Sequence, residues 1–186
     1  LFFYFYVDEN NQVDYPSLQK NADYLNIAID YAAKVDLNNE PKNVSKAFWI
    51  NAYNLLIIKN ILNNYPIKSV QDVPTFFTEN EFICANQQLT LDDIENVILR
   101  DVFQDPDIHF VLSKGIVSGV PILNQAYLPE NIDAKIKERA TTLINNPDFV
   151  KINRKQKTIS LPKLFEQNAR DFVTFYTNEI DFVNQY

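Results

Sequence analysis

The sequence predicts an α+β fold, with helices packed around a small, mostly antiparallel sheet in one domain spanning residues 1–186. Three observations lead to this prediction. Apolar residues recur at spacings of three and four in several long segments, which is typical of amphipathic helices. Short apolar runs lie between turn-forming residues, which indicates strands and hairpins. No repeat, low-complexity run or linker divides the chain, and its length suits one hydrophobic core.

Two helices are expected in the first third of the chain. The first extends from about Pro16 to Lys34. Its start is placed at Pro16 because proline is well tolerated in the first turn of a helix. Ahead of it, the alternation of Phe3, Phe5 and Val7 suits a strand or a docked terminal segment. The second helix extends from about Ser45, a good N-cap, to Asn64. Its apolar residues cover almost every face, which is typical of a central, buried helix.

Asn51 and Asn54 lie on this buried helix. A buried amide without hydrogen-bond partners costs about 1–3 kcal/mol, so each must be bonded to another group. Two roles are open for them, namely a bond to the backbone of a nearby loop or a contact with a ligand. The first is favoured, because most buried side-chain amides bond to backbone.

A short strand, a helix and a second strand are expected in the middle of the chain. The strand covers Glu81 to Ala85, with a turn at residues 86–88. Thr90 and Asp93 then have the spacing of a capping box, which begins a helix that extends to about Phe103. A second strand is expected over Ile108–Ser113, followed by a loop from Gly115 to Pro121.

Another helix, a hairpin and two short helical segments are expected in the last third of the chain. The helix covers about Pro129–Asn145, and the hairpin pairs Val150–Asn153 with Thr158–Ser160. A short helix follows Pro162, and the segment from Thr177 onward has a helical pattern.

Composition excludes several functional classes. The formal net charge is -7 and no cluster of basic residues occurs, which argues against binding to nucleic acid. No apolar run is long enough for a membrane span. The one cysteine, Cys84, allows neither an internal disulfide nor a cysteine zinc site, and we expect no cofactor. The absence of methionine suggests that the chain is a processed or trimmed piece.

The only histidine and both glycines fall within the segment from His109 to Gly119. On the predicted strand, His109 and Ser113 share one face, and the strand ends at Lys114 and Gly115, where backbone could approach a ligand closely. Glu95 lies at the edge of the apolar face of the preceding helix. The residues alone favour a buried, hydrogen-bonded core histidine over a functional one.

A metal site is a second interpretation of the same region. Asp105, Asp107 and His109 stand at alternate positions, so an extended chain would direct all three to one side, where they could hold a divalent ion. Pro106 and the acidic character of the segment instead favour a solvated loop.

Five segments resemble, in order, the motifs of a bacterial family, domain of unknown function 547. They are YVDENNQVDYPSLQ, KAFWINAYNLLIIKNILNNYPIKSV, LTLDDIENVILR, DPDIHFVLSKGIVSGVPI and SLPKLFEQNARDF. The resemblance implies a distant papain-like or transglutaminase-like cysteine-enzyme arrangement with a Cys–His–Glu set, in which the imidazole activates a thiolate and the carboxylate orients the imidazole. It also implies an extracytoplasmic location, because members are often secreted or lipid-anchored.

The resemblance also shows where this chain departs from the family. The family's His-Phe-x-Leu-x-Cys-Gly-Ala-x-Ser-Cys-Pro-Pro-Ile motif puts its histidine on His109, its glycine on Gly115 and its serine on Ser118, while its glutamate falls on Glu95. Its first cysteine falls on Lys114. A lysine attacks only as the neutral amine, and a neighbouring carboxylate favours the ammonium. The chain is therefore predicted to be a catalytically inactive relative, a binding or structural module in which Lys114 pairs with Glu95.

Two other functions stay open at this point. One is an active cysteine-type hydrolase or transferase that uses His109, Glu95 and the thiol of Cys84. The other is a metal-assisted hydrolase that uses Asp105, Asp107 and His109. For the inactive relative, the candidate binding residues are Asn51, Asn54, Ser113, Gly115 and Ser118, and the ligand is an unknown peptide, protein or small molecule.

Overall fold

Helices make up most of the fold, and two small antiparallel sheets accompany them, which confirms the α+β class. The computed structural model describes residues 2–186. The α-helices are α1 (Phe2–Tyr6), α2 (Tyr15–Lys20), α3 (Asp23–Lys34), α4 (Lys42–Asn63), α5 (Asp101–Phe103), α6 (Ile132–Ile144), α7 (Lys163–Gln167), α8 (Ala169–Phe175) and α9 (Glu179–Val183). A π-helical segment, Asp93–Arg100, leads directly into α5, and 3₁₀ turns cover Val70–Asp72, Pro106–Phe110 and Pro129–Asn131.

The strands form two separate antiparallel hairpins. In the first, β1 (Phe82–Cys84) pairs with β2 (Gln87–Leu89) across a tight turn in which Ala85 and Asn86 both have positive φ. In the second, β3 (Lys151–Asn153) pairs with β4 (Thr158–Ser160), as the sequence predicted. The predicted strand near residue 83 is confirmed, and β2 occupies part of what was expected to be a turn.

Helix α4 lies at the centre of the packing. Most of its residues are buried, and Ile50, Tyr53, Ile57 and Ile58 are completely so. One side of α4 belongs to the largest apolar cluster, while Leu55 and Ile58 belong to a second cluster with α1, α2 and α3. This agrees with the expected apolar character on all faces. None of the helices in residues 2–186 is both long and apolar enough to cross a membrane.

A third apolar cluster joins the C-terminal helices to α6. It is dominated by Phe110, Phe165, Phe172 and Phe182, all of them buried. The rings of Phe172 and Phe182 lie 4.7 Å apart, and those of Phe165 and Phe172 lie 4.9 Å apart. Because Phe110 follows His109 directly, this cluster packs the C-terminal helices against the segment that carries the histidine.

The predicted strand over Ile108–Ser113 is wrong. Residues 106–110 form a 3₁₀ turn, which Asp105 begins by accepting a hydrogen bond from the backbone N–H of Asp107 at 3.1 Å. All six residues of the predicted strand are buried. A short run buried on every side looks the same in sequence whether it is a strand or a helical turn. His109 and Ser113 therefore do not share a strand face.

Three helix boundaries also differ from the prediction. The expected helix from Pro16 to Lys34 is two helices, because Asn21 adopts an extended conformation and its side chain accepts a bond from the N–H of Asp23. Helix α4 begins three residues before Ser45, directly after Pro41. The aromatic N-terminal segment is helical, with Phe2 and Phe3 buried in the second cluster.

The remaining predicted elements are confirmed. Thr90 and Asp93 form the reciprocal bonds of a capping box, at 3.1 Å and 2.9 Å. The predicted helix over residues 129–145 is a 3₁₀ turn followed by α6, and both C-terminal helical segments are present as α7 and α9.

The side-chain amides of Asn51 and Asn54 bind backbone groups, which is the role that the sequence favoured. Asn54 donates to the carbonyl of Val111 at 2.8 Å and accepts from the N–H of Ser113 at 2.9 Å. Asn51 makes the same pair of bonds to Tyr127, at 2.8 Å and 2.9 Å. Each amide thus satisfies one donor and one acceptor of a neighbouring loop.

Substitution Asn54→Ala is expected to lower the free energy of unfolding by about 1–3 kcal/mol, because it leaves two buried backbone groups without partners. Urea denaturation monitored by circular dichroism measures the change. Asn63→Ala is the matched control, since Asn63 is exposed on the same helix, and it should change stability by less than about 0.5 kcal/mol. Equal stability of the two variants would contradict the role given to Asn54.

Candidate functional site

A cavity of about 500 Å³ lies beside the segment that carries His109 and Lys114. Its floor includes Glu95, His109 and Lys114, and the loop after Lys114 contributes Ser118. The β3–β4 hairpin and helix α7 supply a second part of the lining, here called the wall. Four of the residues that the sequence and the resemblance singled out, Glu95, His109, Lys114 and Ser118, thus meet at one concave surface.

Lys114 and Glu95 form an ion pair at the floor of the cavity. Only 5% of the Glu95 side chain is exposed, against 28% for Lys114. The hydroxyl of Tyr53 donates to the same carboxylate oxygen at 3.0 Å, and the ammonium lies 5.3 Å from the centre of the Phe77 ring. The predicted pairing of Lys114 with Glu95 is therefore confirmed, and the buried carboxylate has two donors.

His109 pairs with a different carboxylate. Its Nε2 lies 2.7 Å from Oδ2 of Asp171, on α8. Arg100 Nε donates to the same oxygen at 2.7 Å, and Nη2 of the same guanidinium donates to Asn168 Oδ1 at 2.7 Å. In this structure the carboxylate that orients the imidazole is thus Asp171, whereas the Cys–His–Glu set implied by the resemblance would give that role to Glu95.

The surroundings of Asp171 keep it ionised. Burial by itself raises the pKa of this carboxyl, but hydrogen bonds from His109 and Arg100 outweigh burial and the pKa lies below its ordinary value. The site therefore contains a fixed anion, held between an imidazole and a guanidinium.

Asp171, Arg100 and Asn168 were not among the residues predicted from the sequence. Asp171 is 62 positions from His109, and no local pattern connects the two. One signal was present, because Asn168 and Asp171 are three residues apart in the late motif SLPKLFEQNARDF, a spacing that puts two polar side chains on one helical face.

The candidate binding residues do not all face the cavity. Ser118 lines it, whereas the buried hydroxyl of Ser113 accepts a bond from the N–H of Gly115 at 3.2 Å. Gly115 has φ +67°, and a Cβ there would lie 2.7 Å from Cδ1 of Ile61, so only glycine fits without a shift. Asn51 and Asn54 are engaged with backbone, as described above. Asn54, Ser113 and Gly115 thus shape the segment around Lys114, while Asn51 holds the loop at Tyr127.

The three residues of the metal hypothesis have separate partners. Asp105 accepts from Lys46 at 3.1 Å, Asp107 accepts from the hydroxyl of Tyr186, and His109 bonds to Asp171. Within residues 2–186, no group of three His, Cys, Asp or Glu side chains is arranged to hold a metal ion. The extended geometry on which this hypothesis depended is replaced by the 3₁₀ turn.

Cys84 lies in β1, away from these residues. It is buried and does not line the cavity, and burial raises the pKa of its thiol to about 12. At neutral pH this thiol is protonated, which is the unreactive form.

Substitution Lys114→Met should lower the free energy of unfolding by about 1–3 kcal/mol, because it leaves the buried Glu95 with Tyr53 as its only side-chain donor. The double variant Lys114→Met/Glu95→Gln should lose less than the sum of the single variants, by about 0.5–3 kcal/mol. Urea denaturation of all four proteins measures this coupling.

Lys135 and Glu138 supply the control cycle, since they form a lysine–glutamate ion pair at 2.9 Å on the surface of α6. Lys135→Met should cost less than about 1 kcal/mol. Additive effects of the Lys114 and Glu95 substitutions would show that the buried pair contributes no coupling.

Substitution Asp171→Asn should change stability in a pH-dependent way. A carboxyl whose pKa is lower in the folded protein stabilises the fold above its unfolded pKa of about 3.9, and this contribution is lost as the pH falls through the folded value. The difference in unfolding free energy between wild type and variant should therefore be largest above about pH 5 and shrink below pH 4.

Urea titrations at several pH values between 3 and 7 test this expectation. Asp101→Asn removes the same charge from an exposed position next to Arg100, and so separates charge removal from the loss of the contacts to His109 and Arg100. A difference that stays constant with pH would contradict the prediction.

Residues 37–144 match the family described as "Protein of unknown function, DUF547". The match covers more than half of the chain and includes Glu95, His109 and Lys114, whereas Asp171 lies beyond it. No curated protein and no solved structure is significantly similar to the chain. On the strength of the matched region, the chain belongs to the DUF547 family.

Proposed function

We propose that this domain is a catalytically inactive member of its family that binds a ligand in the cavity beside Lys114. The observation that carries the proposal is the ion pair between Lys114 and Glu95. By resemblance, Lys114 stands where the family has its first motif cysteine. An ammonium held by a carboxylate has no lone pair with which to attack a substrate, so the position lacks a nucleophile.

The rest of the site supports binding. The cavity volume of about 500 Å³ lies within the range of pockets that hold small ligands. His109 and Glu95 are each fixed by a partner, which gives the floor a rigid shape before any ligand arrives. A preformed pocket loses less conformational entropy on binding than one that must first become ordered.

The two alternative functions have less support from the geometry. An active cysteine enzyme would need a thiolate beside His109, whereas Cys84 is buried elsewhere and its pKa is raised to about 12. A metal-assisted hydrolase would need Asp105, Asp107 and His109 to converge, whereas each is bonded to a different residue.

The proposal also includes the location of the protein and its organisation as one domain. An extracytoplasmic location, as a secreted, periplasmic or lipid-anchored protein, is supported by the family resemblance alone. A single domain over residues 1–186 is supported by α4, which contributes to two of the apolar clusters, and by Phe110, which packs among the C-terminal helices.

Wild-type protein should hydrolyse p-nitrophenyl acetate no faster than the variants Asp171→Asn and Cys84→Ala, because no activated nucleophile faces the cavity. Iodoacetamide should modify Cys84 only after denaturation, since the thiol is buried and its pKa is raised to about 12. Absorbance and mass spectrometry provide the two readouts.

The variant Lys114→Cys is the positive control for labelling. The Lys114 side chain is 28% exposed, so a thiol at this position should be modified in the native protein. Wild-type turnover that disappears in Asp171→Asn, or rapid native labelling of Cys84, would overturn the inactive assignment.

A further inference from the structure

We propose that the cavity recognises the free carboxyl terminus of an apolar peptide, whose carboxylate is bound by the ammonium groups of Lys151 and Lys163. This inference rests on the proposed function, because it names the ligand class for the same cavity. Both lysines lie beyond residues 37–144, which match the family, and neither was named as a candidate site residue, although Lys163 lies in the late motif SLPKLFEQNARDF.

The fold brings the two lysines to one wall of the cavity. The register of the second hairpin puts Lys151 opposite Ser160, and Lys163 begins α7 three residues later. Both line the cavity, and neither forms an ion pair with a described residue. Asp148 is the one carboxylate on this wall, so two ammonium groups stand against one negative charge.

The charged groups on the floor are already neutralised by partners. Lys114 is held by Glu95, and His109 is held by Asp171, which lies outside the cavity lining. An anion that enters the cavity therefore finds its uncompensated positive charge at Lys151 and Lys163. On a chain with net charge -7, this local excess of cations favours an anionic ligand over a neutral or cationic one.

The rest of the lining is suited to apolar side chains. The apolar residues of the lining include Leu112, Ile116, Val120, Phe149, Leu161 and Leu164. Burial of apolar ligand groups against such a surface contributes roughly 25 cal/mol per Å². A carboxylate joined to a short apolar segment matches both parts of the cavity.

Interspersed polar groups favour a peptide over an acyl chain. Four side chains that line the cavity, Gln71, Ser118, Ser160 and Gln167, form no side-chain hydrogen bond with a described residue. A peptide offers N–H and C=O groups to replace the water bound to them. An acyl chain would displace that water without replacing its bonds, which lowers affinity.

The test uses three sets of probes. The first is a set of N-acetylated tetrapeptides of Ala, Val, Leu and Phe with a free carboxyl terminus, and the second is the same set with a C-terminal amide. Dodecanoic acid is the third, because it has the carboxylate and an apolar chain but no amides. Saturation-transfer NMR identifies binders, titration gives their Kd, and mass spectrometry shows whether each peptide is recovered intact.

The decisive variant is Lys151→Gln/Lys163→Gln. Its matched control is Lys155→Gln/Lys157→Gln, which removes the same charge from the exposed tip of the same hairpin, outside the cavity lining. Free-acid peptides should bind wild type and the control equally. Their Kd should rise at least tenfold in the Lys151/Lys163 variant, and amidation of the carboxyl terminus should raise the Kd of wild type to a similar extent.

Other outcomes would overturn the inference in distinguishable ways. Equal binding of acid and amide peptides, recovered intact, would reject carboxylate recognition and leave the inactive binding module standing. Tighter binding of dodecanoic acid than of any peptide would reject a peptide ligand, as would no binding of any acid peptide. Recovery of cleaved peptide would overturn the proposed function and this inference with it.

Discussion

The position of the site depends on two hydrogen bonds of the Asn54 side chain, one donated and one accepted. They hold the carbonyl of Val111 and the N–H of Ser113 against the central helix α4. His109 lies two residues before this contact and Lys114 one residue after it, so a single buried amide fixes both ends of the segment that reaches the cavity. The contact can do so because α4 is itself immobilised by apolar clusters on more than one side. An irregular segment has no ladder of backbone bonds, and its position depends on contacts of this kind.

The two carboxylates around the site, Glu95 and Asp171, each have their own hydrogen-bond donors. Glu95 receives the ammonium of Lys114 and the hydroxyl of Tyr53, while Asp171 receives His109 and Arg100. In a cysteine enzyme of the kind the resemblance suggests, the imidazole would have a thiolate to activate. Here Lys114 brings a positive charge, which the buried glutamate compensates. The position is thus held by an ion pair, and Glu95 is not left as an unpaired carboxylate.

Much of the fold could be predicted from the sequence because its helices carry strong local signals. The apolar periodicity of α4 and the capping box at Thr90 and Asp93 are local patterns, and both were confirmed. The pairing of Lys114 with Glu95 was predictable because the family motif aligned both residues. The segment around His109 was not, since burial on all sides removes the alternation that separates a strand from a turn. Asp171 was missed because a contact between residues 62 positions apart depends on how the C-terminal helices pack, which no local pattern specifies.

The cavity combines two parts of the chain that contribute different properties. Its floor comes from residues 37–144, which supply Glu95, His109 and Lys114, and its wall comes from residues after 144. The third apolar cluster holds these parts together, because Phe110 packs against Phe165, Phe172 and Phe182. The wall carries uncompensated charges, whereas the charges of the floor are paired. Substitution of Lys151 or Lys163 therefore breaks no ion pair between described residues, whereas substitution of Glu95 or Lys114 breaks a buried one. If the domain binds a ligand as proposed, its ligand preference should depend mainly on residues of the wall, whereas Glu95 and Lys114 should mainly determine stability.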